Sequence, residues 1–205
     1  MKKTGSIRWF AFLVFLFMFM PLQVQLVEAK PNYKKIYGKI LEKSTVSYVE
    51  NGHTYTYDSF DHFVLLDINR DGKKELIAET GGYRTCFIYT IKKGKAKLYD
   101  VVICFFTNDA NDSKYRHFVE YNKKYKGLIL HQHGGTGLAG LDIFQMRSNK
   151  LKLLCSIESS SLGDNGKVST TYTKGYWKYY KKYFRSAKKY YMCDNTSTNR
   201  KRYLK

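Results

Sequence analysis

The chain has 205 residues, with 36 Lys or Arg against 17 Asp or Glu and a formal charge of +19. That length accommodates one domain with a true core and leaves little room for two. A surface this basic suits acidic polymers such as teichoic acid, nucleic acid, acidic polysaccharide or an anionic membrane. An AT-rich genome, favouring Lys, Tyr, Asn and Phe, yields the same bias with no partner at all.

Lys2, Lys3 and Arg8 form a positive head, and Trp9 to Met20 follow without a charged or polar side chain. This is the length of a signal-peptide core and falls short of the ~20 residues a spanning helix needs. Pro21 breaks the run, and Val27-Glu28-Ala29 offers small side chains before a cut. Residues 1–29 are therefore expected to be a signal peptide, and residues 30–205 a single secreted domain. Its charge is about +17, because the leader carries three basic residues and one acid. No cysteine precedes Cys86, which argues against a lipid-modified N-terminus. The expected product is extracellular or loosely surface-associated, with no transmembrane anchor after processing.

Over residues 32–43, Tyr33, Ile36, Tyr37, Ile40 and Leu41 form one stripe of helical period, with Asn32 as N-cap. Strand signals follow. Ser44 to Glu50 and His53 to Tyr57 flank Asn51-Gly52, a strong hairpin turn. Phe63 to Ile68 and Leu76 to Thr80 bracket an acidic loop. Arg84 to Ile91 and Ala96 to Phe106 flank a Lys-Gly turn, and His117 to Tyr121 and Gly127 to His131 flank a Lys-rich one. Leu138 to Met146, Leu151 to Ile157 and Val168 to Thr173 complete the series. Trp177 to Tyr191 places Tyr180, Tyr183, Phe184, Ala187 and Tyr191 on a second helical stripe. The expected fold is α+β and β-rich: an antiparallel, propeller-blade-like meander sheet flanked by an N-terminal and a C-terminal helix.

Cys86, Cys104, Cys155 and Cys193 permit two disulfides in three pairings, or buried free thiols. A two-residue turn at Lys93-Gly94 puts Cys86 opposite Val101, so a Cys86–Cys104 bond needs a bulge or a longer loop. No Cys-x-x-Cys is present, so a zinc site is not expected.

Asp67, Asn69 and Asp71 alternate, so their side-chain oxygens can converge from one side of a turn. Gly72 permits the sharp reversal, Lys73 offers its backbone carbonyl, and Glu75 closes the set with a carboxylate. Such a set suits calcium. The helical EF-hand form does not fit, because Lys74 and Ala78 stand where that loop needs an apolar residue and its closing Glu. The segment from Phe63 to Ala78 resembles the strand–loop–strand calcium motif of FG-GAP repeats, as in integrin α-chain propellers. More closely, it resembles exported proteins of gut Firmicutes that carry one such loop after a short helix. Gly127 to Phe144, a strand, a Gly-rich turn and a second strand, is similar to theirs as well. The resemblance implies calcium ligation by Asp67, Asn69, Asp71, Lys73 (carbonyl) and Glu75, and implies no catalytic residue.

His131, His133 and Asp142 beside Gly134-Gly135-Thr136-Gly137 invite a hydrolase reading, though a polar strand end with a glycine turn gives the same letters. Asp58 and Asp61, close to His53 and His62, match no catalytic template. From Lys174 to Lys205, eleven Lys or Arg stand against the single acid Asp194, interleaved with aromatics. That is either an adhesive basic face or a helix with its rings in the core. The expected function is a secreted, calcium-binding, non-catalytic binding or accessory domain that engages an anionic cell-wall or extracellular polymer, with no specific nucleic acid. The alternatives are a secreted hydrolase using the His131/His133 region and a structural surface-associated protein.

Overall fold

The computed structural model describes residues 31–81, 85–103, 117–134, 138–147, 150–160 and 169–205. The expected signal peptide, Cys104 and residues 135–137 lie outside them. Pro31–Lys205 forms one compact unit. No helix among the described residues is long and apolar enough to cross a membrane.

The first apolar stripe folds as expected. α1 (Tyr33–Leu41) begins where Asn32 Oδ1 accepts from Lys35 N at 2.9 Å. It buries Tyr33, Tyr37 and Leu41. β1 (Thr45–Glu50) and β2 (His53–Asp58) form a two-stranded sheet. Asn51 (φ 50°) and Gly52 (φ 81°) make the reversal, both in the left-handed region that such a turn requires.

The remaining strands are antiparallel but divide between two further sheets, where a single meander was expected. β3 (Phe60–Leu66), β4 (Glu75–Thr80), β5 (Thr85–Lys92) and β6 (Lys95–Ile103) form one meander. β7 (Phe118–Asn122), β8 (Gly127–Gly134), β9 (Leu138–Arg147), β10 (Lys150–Ser160) and β11 (Ser169–Tyr172) form another. The reason is visible in β4, where all six residues are buried. A strand covered on both faces needs a layer on each side, which one half-exposed meander cannot supply.

Side chains alternate along each strand, so each sheet has two distinct faces. Leu66, Ile77, Cys86 and Ile88 of the first meander pack against Val119, Tyr121, Leu128, Leu130, Phe144 and Met146 of the second. On the opposite face of the first meander, Phe60, Phe63, Leu76 and Phe87 meet α1 and Val46 of the hairpin. On the outer face of the second, Ile129, Leu141, Ile143 and Cys155 meet Tyr176 and Tyr183.

The C-terminal segment departs from expectation. The helix foreseen over residues 177–191 is only α2 (Tyr176–Tyr179) followed by one π turn, Tyr180–Phe184. β12 (Lys188–Tyr191) then pairs with β7, and β13 (Cys193–Asp194) with β3. α3 (Ser197–Tyr203) ends the chain. The helical stripe runs out at Phe184, and the β-prone Tyr190-Tyr191 pair completes the otherwise unpaired edge of β7. Residues 188–194 thereby close an edge of both sheets, with Met192 buried between them.

The β5–β6 register also differs. Cys86 faces Val102 rather than Val101, because the ladder steps past Tyr99 between the Ile88–Asp100 and Tyr89–Leu98 pairs. That extra residue is a β-bulge.

Candidate functional site

The acidic loop joins β3 to β4, which are paired up to Leu66 and Glu75. Its turn is built from Asx hydrogen bonds. Asp67 Oδ1 accepts from Asp71 N and Oδ2 from Gly72 N, both at 3.1 Å. Asn69 Oδ1 also accepts from Asp71 N at 2.8 Å, and Asp71 Oδ1 accepts from Lys73 N at 2.8 Å. Arg70 (φ 64°) and Gly72 (φ 84°) supply the left-handed steps.

Glu75 is wholly buried. Its neutral donors are Ile68 N at 2.9 Å, Asn69 Nδ2 at 3.0 Å and Thr90 Oγ1 at 3.0 Å. Burial pushes its carboxyl up to about 7; Asp71 and Asp67 add to the rise, while the Ile68 and Thr90 hydrogen bonds oppose it. The Asn69 amide also donates to Asp71 Oδ2 at 3.1 Å, so it bridges the two carboxylates.

The loop is clamped from both sides. From α1, Tyr33 OH accepts from Lys74 N at 3.0 Å, and Tyr37 OH donates to Lys74 O at 2.9 Å while lying 3.2 Å from Tyr89 O. From the second meander, Tyr121 OH donates to Ile68 O at 3.0 Å.

The five expected ligands therefore lie on one tethered turn, and their donors are all oxygens, the chemistry a hard cation such as calcium takes. The three loop carboxylates are not the tightest cluster present. Among the described residues, the set that brings His, Cys, Asp or Glu ligand atoms all within 4.8 Å of one another is His62, Glu79 and His117. These residues are far apart in sequence, and the usual ligand spacings miss them. The legible signal was a Glu inside the apolar run Leu76-Ile77-Ala78-Glu79, where a strand buried on both faces has no place for an unpartnered charge.

No family model, curated protein or solved structure matches this chain.

The other sequence candidates separate. His131 Nε2 lies 3.0 Å from Glu120 Oε2 on the neighbouring strand, with the Phe118 ring 5.1 Å away and Phe184 at 6.4 Å. His133 pairs through its backbone with Ala139. Asp142 is buried in β9. Cys86, Cys155 and Cys193 are free thiols. Burial pushes both Cys155 and Cys193 up to about 11. In the C-terminal segment Tyr176 and Tyr183 are buried, whereas Trp177, Lys181, Lys182, Lys188 and Lys189 are exposed.

Proposed function

We propose that this chain is a secreted, calcium-stabilised, non-catalytic binding or accessory module whose basic face engages an anionic envelope or extracellular polymer. The observation that carries the calcium part is Glu75: a wholly buried carboxylate met by neutral donors, on a turn that also holds Asp67, Asn69 and Asp71. A cation held there by Asp67, Asn69, Asp71, the Lys73 carbonyl and Glu75 would neutralise like charges now held together. It would replace the bridge made by the Asn69 amide. The likeness to FG-GAP repeats is proposed for the unit β3–loop–β4 alone, and a propeller-blade relationship goes no further than that unit.

The polymer part rests on the formal charge of +19 and on where the cations lie. Lys92, Lys97 and Lys150 line a hollow of about 180 Å³ with Thr90, Leu98 and Tyr99. Lys182 sits 4.8 Å from the Tyr125 ring and Lys189 sits 4.6 Å from that of Phe118. A hydrolase centred on His131 would need a nucleophile or a further ligand, and among the described residues its ring meets Glu120, Phe118 and Phe184.

Thermal melts test the calcium reading. At free calcium 100 times its dissociation constant, binding adds about 2.7 kcal/mol. The melt should rise with calcium relative to chelator, and Asp71→Ala should erase the difference. Identical wild-type melts in the two conditions reject it.

A further inference from the structure

Glu75, Ile77 and Glu79 alternate along β4, and Ile77 packs in the core between the two meanders. The strand thus sends a buried carboxylate into the inter-sheet space at each end. At the end away from the acidic loop, Glu79 Oε2 lies 2.7 Å from His117 Nδ1 and 3.8 Å from His62 Nδ1. The two imidazole rings are 4.2 Å apart and tilted by 30°. His62 Nε2 faces Asp194 Oδ1 at 3.5 Å.

Backbone ladders fix all four residues. His62 pairs across the ladder with Glu79 on one side and with Asp194 on the other. His117 comes from the other sheet, and its carbonyl accepts from Met192 N at 2.8 Å. The group therefore sits where the C-terminal segment passes from β12 to β13.

A structural ion pair explains only part of this. One protonated histidine suffices to balance Glu79, yet two imidazoles turn the same ring nitrogen toward one carboxylate oxygen. Protonating both would set like charges against each other at ring-contact distance. Two imidazoles and a carboxylate facing one another are a nitrogen-rich ligand set of the kind zinc takes, with a fourth position left for water. Calcium and magnesium prefer oxygen alone.

We propose that His62, Glu79 and His117 bind a divalent transition-metal ion of the zinc class. Asp194 orients His62 through its second nitrogen, as carboxylates behind metal-bound histidines do. Tetrahedral ligation at roughly 2.0–2.1 Å puts ligand atoms ~3.3 Å apart. The observed 2.7 and 3.8 Å separations bracket that value, and all three ligand atoms lie within 4.8 Å of one another. The side chain of His62 is 26 % exposed, which leaves a route for the ion. Bound there, the ion ties β3 and β4 to the start of β7. This site is independent of the acidic loop and of its proposed calcium.

The test uses the purified protein stripped with chelator, dialysed at pH 7.5 and held in excess calcium. Cobalt(II) is titrated in and followed by its visible absorption, then displaced with zinc. The expected result is one equivalent of cobalt with the strong absorption of a four-coordinate ion, bleached by zinc. His117→Ala and His62→Ala should abolish that signal, and Asp194→Asn should weaken binding roughly 10- to 100-fold. His53→Ala, at an exposed histidine on β2, should leave it unchanged. Should His117→Ala fail to fold, His62→Ala and His62→Gln decide the matter, because that ring lies nearer the surface. A wild type that takes up no cobalt or zinc overturns the proposal, as does binding that persists in the His62 variants.

Discussion

Gly127 opens β8 where a methyl group would collide with the ring of Tyr183. Tyr183 is buried on the outer face of the second meander, so the missing side chain is what lets that ring lie against the strand. Asn122 fixes the same ring from the backbone side, donating to Tyr183 O at 2.6 Å and to Ser186 Oγ at 2.8 Å. It thus satisfies a carbonyl that the π turn leaves open. Gly127→Ala should cost about 1–3 kcal/mol through overpacking, and Tyr183→Ala about 3–5 kcal/mol through the cavity it leaves. The two should not add, because removing the ring removes the clash. Denaturant melts of the single and double variants measure this, and strict additivity would show that the ring does not depend on the glycine.

At the scale of elements, α1 matters for the clamp it makes on the acidic loop. Tyr33 and Tyr37 bury their rings against the first meander and turn their hydroxyls to the backbone of Lys74. Tyr37→Phe keeps the packing and leaves the carbonyl of Lys74 short of a donor, so it should lower stability by about 1–2 kcal/mol. It should also weaken the proposed calcium binding several-fold, because the turn loses its tether. An unchanged calcium isotherm would show the loop to be held by the strands alone. This helix was legible because its stripe is local, and so were the Asn51-Gly52 turn and the tight acidic turn from Asp67 to Glu75. The segment from Trp177 to Tyr191 misled because nothing in its own letters marks a break: no Gly or Pro interrupts it. Its fate is decided by the unpaired edge of β7, some seventy residues earlier in the chain. The cluster of His62, Glu79 and His117 was hidden for the same reason. Two strand pairings and a packing of sheets assemble it, and none of these is local.

At the scale of the whole molecule, a chain with excess positive charge folds as a sandwich in which its own C-terminal strands close one edge of each sheet. The adhesive and structural readings of residues 174–205 now divide between different side chains. Tyr176 and Tyr183 serve the core, while Lys181, Lys182, Lys188 and Lys189 face solvent. Changing these four lysines to Gln should therefore separate adhesion from folding. Stability should fall by no more than a few kcal/mol in all, since each surface substitution usually lies within about 0.5 kcal/mol of neutral. Loss of the ring contacts made by Lys182 and Lys189 adds roughly 0.5–1 kcal/mol each. Binding to a polyanion should fall much more. With duplex DNA as a sequence-neutral probe, each lost contact flattens the slope of log affinity against log salt by about 0.9. If all four lysines contact the polymer, the slope should change by roughly 3–4 on that scale. A teichoic acid titrated in parallel reports whether the same cations serve an envelope polymer. Unaltered slopes for both polymers, with the fold intact, would move the adhesive surface away from this segment and toward the hollow lined by Lys92, Lys97 and Lys150.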